Sequence, residues 1–145
     1  MTNELKTYIN YPRRNRRQKP SSGIHHPQNR TQPDARQTAL SILNRLDKGN
    51  KTLDSILNGF SPKINLLSKK DRSFLNALVY GVIRWRGRLD YVIDYLSKMP
   101  VTKINPKVLN IIRIGLFQII FLSRIPVSAS VNTSVEMAKS FAPPG

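Results

Sequence analysis

Three arginines at alternate positions near the middle of the chain are the side chains best suited to binding an anion. The segment LVYGVIRWRGRLD, residues 78–90, contains Arg84, Arg86 and Arg88, and the only tryptophan, Trp85, lies among them. A guanidinium group can grip a phosphate through paired hydrogen bonds, and it can also stack on a nucleobase. The same segment carries apolar residues at helical spacing, so it is predicted to supply both hydrophobic core and a positive surface.

The role of these arginines is open from the residues alone. They are candidates for RNA contact, for anchoring the helix against another domain, or for internal pairing with Asp71, Asp90 or Asp94. Trp85 lies on the apolar side of the predicted helix, which favours a place in the core over a stacking platform.

Further cations stand near the predicted ends of helices. Arg36 and Arg45 flank the first predicted helix, whereas Lys69, Lys70 and Arg72 begin the third, where the helix dipole disfavours positive charge. Cations at that position indicate either a bound polyanion or a solvated face. The predicted RNA-binding residues are therefore Arg36, Arg45, Lys69, Lys70, Arg72, Arg84, Arg86 and Arg88.

The overall charge supports a polyanionic partner. The 145 residues include 24 Lys and Arg against 8 Asp and Glu, a formal net charge of +16. Such an excess favours nucleic acid first and an acidic membrane surface second. The longest apolar stretch, residues 111–122, is interrupted by Arg113 and is too short to cross a bilayer. We therefore expect no membrane association and a cytoplasmic location.

Catalytic and metal chemistry find little support in the composition. The absence of cysteine excludes disulfides, thiolate metal sites and a cysteine nucleophile within these residues. His25 and His26 are adjacent and lie in a polar region with no carboxylate cluster, which favours a solvated pair over a metal site. We expect no catalytic residue, cofactor or metal in this chain.

The chain divides into an arm and a domain. Residues 1–33 hold seven basic residues, one acid and four prolines, and almost nothing there could be buried. Such a segment cannot offset its ordering entropy and is predicted to be a disordered basic arm. Residues 34–145 hold 17 basic and 7 acidic residues, a net charge of +10, so the predicted domain is itself basic.

Helical periodicity runs through residues 34–145, and no alternation with a period of two occurs, so the predicted class is all-α. The predicted helix starts are Asp34, Thr52, Ser68 and Asn105, each a residue type that caps helices. Gly49 is predicted to end the first helix. The second is predicted to be short and to stop at Gly59 and Pro62.

Three finer expectations concern later segments. An unbroken third helix would place Arg86 near its apolar side, so a break at Gly87 is predicted to release Arg86 to the surface. Arg113, inside a mostly apolar helix, is predicted to pair with a carboxylate or a helix terminus. The last helix is predicted to start at Ser128 or Ser130, with inward-facing residues Val131, Val135 and Ala138.

With these residues in view, the chain resembles the NusB-like N-terminal RNA-binding domain of the RsmB (Sun/Fmu) family of ribosomal RNA cytosine-5 methyltransferases. The resemblance is carried by DARQTALSIL at 34–43, LNALVYGVIRWRGRLDYVI at 75–93, and INPKVLNIIRIGLFQIIFLSRIPVSASVNTSVEMAK at 104–139. It implies a helical bundle of two packed subdomains that helps to dock ribosomal RNA. In the related NusB proteins the arginine-rich start of the first helix contacts RNA, and the resemblance carries that role over to Arg36 alone.

The resemblance further implies a methyltransferase domain in cis, outside these residues, which binds S-adenosylmethionine and supplies the thiolate that attacks cytosine. A final helix that the family places after residue 141 is also expected to be missing. The chain itself would then be a non-catalytic accessory domain, and we expect a monomer.

The alternative is the related NusB transcription antitermination factor, an adaptor that binds RNA and a ribosomal protein. It shares the start of the domain and the stretch that ends at 139–141. The WRGRLD segment favours the methyltransferase branch.

Overall fold

The computed structural model describes residues 33–141, which contain five α-helices and a short 3₁₀ turn but no β-strand. The elements are α1 (Ala35–Leu46), α2 (Leu53–Asn65), α3 (Lys69–Leu96), the 3₁₀ turn (Val101–Lys103), α4 (Pro106–Phe121) and α5 (Val127–Lys139). The prediction of an all-α bundle is confirmed. The basic arm, apart from Pro33, lies outside the described residues.

The helix starts lie where the capping residues predict them. Asp34, Thr52, Ser68 and Asn105 each accept a hydrogen bond from a backbone N–H two or three residues ahead, at 3.0–3.3 Å. These bonds satisfy amides that have no partner within the helix. Gly49 follows α1 with φ of 73°, a left-handed conformation that glycine adopts without strain.

Helix α2 is longer than predicted, because it passes through Gly59 and Pro62 to Asn65. Apolar side chains on both sides of the proline, Leu57 and Ile64 among them, pack against the core. This packing holds the helix together against the cost of an internal proline, about 3 kcal/mol. The predicted stop is wrong for that reason.

Helix α3 is continuous over 28 residues, so the predicted break at Gly87 is also wrong. Glycine inside a helix costs only about 1 kcal/mol relative to alanine. Val82 before the glycine and Leu89 and Ile93 after it are buried on the same side of the helix. A break would separate these side chains from the shared core, so the continuous helix is the more stable arrangement.

The described helices enclose one hydrophobic core. Helices α1 and α4 both pack along α3, while α2 packs against α1 and α5 packs against α4. Gly81 permits the close approach of α3 and α4, since a Cβ atom there would overlap the buried ring of Phe117. Trp85 packs partly buried against this core and stacks on Phe121 at 5.0 Å, which agrees with its predicted place.

The last helix differs from its prediction in both start and orientation. It begins at Val127, directly after Pro126, and its serines lie inside it. Val131 and Val135 are 46% and 49% exposed, whereas Ser130 and Met137 are buried. The small side chains turn inward because they let α5 approach Gly115 of α4 closely. Of the three residues predicted to face inward, only Ala138 packs against the core.

Within the described residues, no helix combines the length and the apolar character that a membrane crossing requires.

Candidate nucleic-acid interface

The three arginines of the WRGRLD segment lie on different sides of α3. At about 100° per residue, Arg84 and Arg88 are roughly 40° apart, while Arg86 is roughly 200° from Arg84. Arg84 and Arg88 are exposed. Arg86 forms an ion pair with Asp47, the residue that ends α1. Arg86 therefore stays partly exposed, with 37% of its side chain accessible, and it reaches the carboxylate just after α1 without the predicted break in α3.

Arg86 belongs to a polar cluster between α1, α3 and α4, which we call the Asp47 cluster. Its members are Asn44, Asp47, Arg86, Asp90, Asn110 and Arg113. Arg113 is only 6% exposed, and its Nε and Nη2 donate to the two oxygens of Asp90, both at 2.7 Å. Asn110 accepts from Arg113 at 2.9 Å and donates to Asp47 at 2.8 Å.

The Asp47 cluster stabilises the packing of the helices. A buried guanidinium is tolerable only when its charge is paired and its donors are satisfied, and the fork of Arg113 on Asp90 meets both conditions. The predicted carboxylate partner of Arg113 is confirmed. Arg86 and Arg113 are thus engaged in holding three helices together.

Arg36 also has an internal role. It is half-buried, its Nε donates to Oε1 of Gln118 at 2.9 Å, and its guanidinium carbon lies 4.8 Å from the centroid of the Phe74 ring. These contacts join the start of α1 to α3 and α4. Within residues 33–141 the hydrogen bonds of Arg36 use its Nε and its backbone N–H.

Arg84 and Arg88, in contrast to Arg36, are exposed at the surface. Each guanidinium lies 5.9 Å from the Trp85 ring. The ion pairs among the described residues involve Arg86, Arg113 and Lys139, and neither of these two arginines takes part in one.

Three exposed tyrosines share the surface with these arginines. Tyr80, Tyr91 and Tyr95 are 50%, 72% and 80% exposed. Helical geometry places them with Arg84 and Arg88 in an arc of about 80°, opposite the buried side of α3. Together with the exposed Lys69 and Lys70 at the helix start, they form what we call the α3 outer face: Lys69, Lys70, Tyr80, Arg84, Arg88, Tyr91 and Tyr95.

The sequence analysis did not predict these tyrosines as part of a surface. The pattern was present as steps of four, four, three and four residues through positions 80, 84, 88, 91 and 95. This is the spacing of one helical face. The predicted break at Gly87 divided it between two helices and concealed it.

Three carboxylates on α3 each accept a hydrogen bond. Asp71 receives a hydrogen bond from Ser68 at 2.7 Å. Asp90 belongs to the Asp47 cluster, and Asp94 accepts from the backbone N–H of Val101 at 3.0 Å. The α3 outer face presents cations and aromatic rings, a combination suited to a polyanion with accessible aromatic bases. Asp71 and Asp94 are also exposed, and neither takes part in an ion pair among the described residues.

The remaining predicted residues do not join this face. Arg45 lines a groove of about 640 Å³ between α1, α2 and the start of α4, together with Lys48, Phe60 and Lys107. Asp47 also lines the groove, and Asp47 pairs with Arg86. The groove therefore lies on the side of α3 opposite Arg84. Sequence reasoning missed Lys48 and Lys107, because they lie far apart in the chain.

Arg72 is exposed but lies roughly 200° around α3 from Lys70, away from the outer face. The eight predicted binding residues therefore do not form a single site. Four of them share the α3 outer face, namely Lys69, Lys70, Arg84 and Arg88. Within residues 33–141, no group of three or more His, Asp or Glu side chains that could hold a metal ion occurs.

Comparison with known proteins places this helical bundle in a family. The sequence model of the NusB family matches residues 33–145, which is most of the chain. The chain belongs to the NusB family. Over 106 residues this NusB-family domain is 38% identical to the probable ribosomal RNA small subunit methyltransferase B of Synechocystis sp., a match that covers 73% of the chain and 24% of that protein.

Other relatives of this NusB-family domain include both a methyltransferase and an antitermination protein. The probable ribosomal RNA small subunit methyltransferase B of Bacillus subtilis is 34% identical over 104 residues, 72% of the chain and 23% of that protein. The transcription antitermination protein NusB of Trichlorobacter lovleyi is 33% identical over 109 residues, 74% of the chain and 76% of that protein. The chain thus spans about a quarter of the methyltransferase relatives and about three quarters of the antitermination relative.

The predicted family is confirmed. The comparisons do not separate its two branches.

Proposed function

We propose that this NusB-family domain binds RNA through the α3 outer face and docks ribosomal RNA for a methyltransferase domain in cis. The observation that carries the proposal is the state of Arg84 and Arg88. Both are exposed, and neither takes part in an ion pair among the described residues. Arg86 and Arg113, by contrast, pair with carboxylates of the described helices and their ends. Unpaired arginines on one face are positioned for the phosphates of a partner.

The chemistry of cytosine-5 methylation decides which role this domain and which role the methyltransferase domain would have. A nucleophile must attack the cytosine ring before its C5 atom can accept a methyl group, and these residues contain no cysteine to supply a thiolate. The domain would contribute binding, while the methyltransferase domain would hold S-adenosylmethionine and the nucleophile. The WRGRLD segment and the similarity to methyltransferases from Synechocystis sp. and Bacillus subtilis support this branch.

A salt titration with paired variants tests the proposal. Fluorescence anisotropy would measure binding of the chain to a labelled ribosomal RNA fragment at several salt concentrations. The double variant Arg84→Gln/Arg88→Gln is expected to bind on the order of tenfold more weakly at low salt, with a log–log salt slope shallower by about 1.4, or about 0.7 for each lost phosphate contact.

The matched control is Arg45→Gln/Arg72→Gln, which removes the same charge from exposed positions off the α3 outer face. It is expected to change the slope by much less. Equal losses in the two double variants would show that only net charge matters and would contradict the proposed interface.

A second candidate function is a NusB-type adaptor that binds RNA and a ribosomal protein. It is favoured by the match to the antitermination protein of Trichlorobacter lovleyi, three quarters of which the chain covers. Capture of a ribosomal protein by the chain after nuclease treatment would support this function. Capture that disappears with the RNA would count against it.

A further inference from the structure

The groove between α1, α2 and the start of α4 is separate from the α3 outer face, and the proposed function makes no use of it. Its volume is about 640 Å³, and cavities of about 300–1,000 Å³ are the size that holds a small organic molecule. Asp47 lines the groove and pairs with Arg86, on the side of α3 opposite Arg84. A small ligand in the groove would therefore leave the α3 outer face open.

Three helices contribute the walls of the groove. Arg45 lies in the last turn of α1 and Lys48 just beyond it, while Lys107 lies in the first turn of α4. Helix α2 contributes Phe60, whose ring is partly buried against the core and borders the groove with its remaining surface. The groove thus combines positive charge from two walls with one aromatic ring from the third.

The charge of the lining favours an anion. None of the three cations takes part in an ion pair among the described residues. Asp47 is the carboxylate on the groove wall, and it is already paired with Arg86 and accepts a hydrogen bond from Asn110 at 2.8 Å. Three cations against this one carboxylate give the groove a positive potential.

Helix dipoles account for the cations of α1 but not for Lys107. The C-terminal end of α1 favours positive charge, which suits Arg45 and Lys48. The first turn of α4 disfavours a cation and favours an anion. The Nζ atom of Lys107 lies 5.3 Å from the centroid of the Phe141 ring, a contact that supplies no carboxylate. An anion beside Lys107 would offset this unfavourable placement.

From these observations we propose that the groove binds a nucleoside diphosphate, with the base against Phe60 and the diphosphate between Lys48 and Lys107. A diphosphate concentrates more than one negative charge at one point, which suits cations that approach from two walls. An internal phosphate of an RNA strand carries a single charge, and the strand would have to continue out of the groove at both ends. The aromatic ring accounts for a base, since flat rings stack favourably on one another.

Calorimetric titration of the full chain with ADP, AMP and pyrophosphate tests the proposal. ADP is expected to bind on the order of tenfold more tightly than AMP, because its second phosphate adds a charged hydrogen-bonding group for the cations. ADP should also bind at least about fivefold more tightly than pyrophosphate, since stacking of a base on one aromatic ring contributes that much.

Two variants separate the contributions of charge and ring. Lys48→Gln/Lys107→Gln is expected to weaken ADP and pyrophosphate alike, on the order of tenfold or more. Phe60→Leu should lose about fivefold for ADP and leave pyrophosphate unchanged. The matched control Arg72→Gln/Lys98→Gln removes the same charge from exposed positions outside the groove. It should stay within about twofold of the unaltered chain, because salt screens distant exposed charges.

Equal losses in the two double variants would show that only net charge matters and would overturn the proposal. Equal affinity for ADP and pyrophosphate in the unaltered chain would also overturn it, because the ring would then hold no base. This second comparison needs no substitution, so it decides the role of the ring even where Phe60→Leu fails to fold. Absence of ADP binding at millimolar concentration would leave the groove without the proposed ligand.

This inference does not depend on the proposed function, and RNA titrations distinguish the two. If Lys48→Gln/Lys107→Gln weakens RNA binding as much as Arg84→Gln/Arg88→Gln does, the groove is part of an RNA surface and the inference fails. If ADP binds as expected while Arg84→Gln/Arg88→Gln leaves the affinity for RNA unchanged, only the proposed function fails.

Discussion

The two sides of α3 use the same residue types for opposite purposes. On the inner side, Arg86 pairs with Asp47, and Gly81 makes room for the ring of Phe117. On the outer side, Arg84 takes part in no ion pair among the described residues, and a Cβ atom at Gly87 would meet nothing within 4 Å. Position around the helix, and not residue type, therefore decides whether a side chain stabilises the fold or remains available to a partner.

This contrast explains why an alternating row of arginines is a poor guide to a binding surface. Residues two apart in a helix are separated by about 200°, so alternate positions lie on opposite sides. Arg84 and Arg88, four apart, form a pair on one face. Arg86 between them becomes part of the Asp47 cluster. Substitutions on the inner side should lower stability, whereas substitutions on the outer side should weaken binding.

The largest effect is expected from Asp90→Asn on the inner side. This change removes the carboxylate that neutralises the buried Arg113 and should lower the free energy of unfolding by about 3 kcal/mol. Urea denaturation followed by circular dichroism would measure it. The control Asp54→Asn, at an exposed position in the first turn of α2, should cost under about 1 kcal/mol. Equal effects would contradict the structural role of the cluster.

Two glycine substitutions are expected to have opposite signs. Gly81→Ala places a Cβ atom against Phe117 and should destabilise the fold by about 1–3 kcal/mol. Gly87→Ala meets no neighbour and should stabilise the continuous helix by about 0.5–1 kcal/mol. Midpoints of urea unfolding would measure both changes. A loss of stability in Gly87→Ala would indicate that α3 is broken there.

The smallest effect on stability is expected from the arginines themselves. Arg86→Gln removes a partly exposed ion pair and should cost about 1 kcal/mol of unfolding free energy with little change in RNA affinity. Arg84→Gln should change stability by less than about 0.5 kcal/mol while it weakens RNA binding. Denaturation and anisotropy measured on the same samples would compare the two variants. Equal changes in stability and in RNA affinity would contradict the distinction between the two faces.

Local chemistry was enough to predict most of the helix starts. The side chains of Asp34, Thr52, Ser68 and Asn105 cap helices because each bonds an amide only two or three residues away. The carboxylate partner of Arg113 could also be predicted in kind, since a charge in an apolar helix requires one. Its identity as Asp90 depends on how α3 and α4 pack.

The failed predictions for α2 and α3 gave local helix breakers too much weight. Gly59, Pro62 and Gly87 each disfavour a helix by themselves, yet each lies within one. Packing of distant apolar side chains exceeds these costs of about 1–3 kcal/mol. The orientation of α5 failed for a related reason, because close contact with Gly115 of α4 turns its small residues inward.

The amino-acid sequence by itself determined the all-helical class, the family, the positive charge and the candidate cations, because these depend on composition and on short-range spacing. Only the tertiary structure decided which cations remain unpaired. Asp47 lies 39 residues from Arg86 in the chain, and its capture of that arginine arises only when α1 packs along α3. The same packing leaves the row of tyrosines and arginines on the outer face of α3 exposed to a partner.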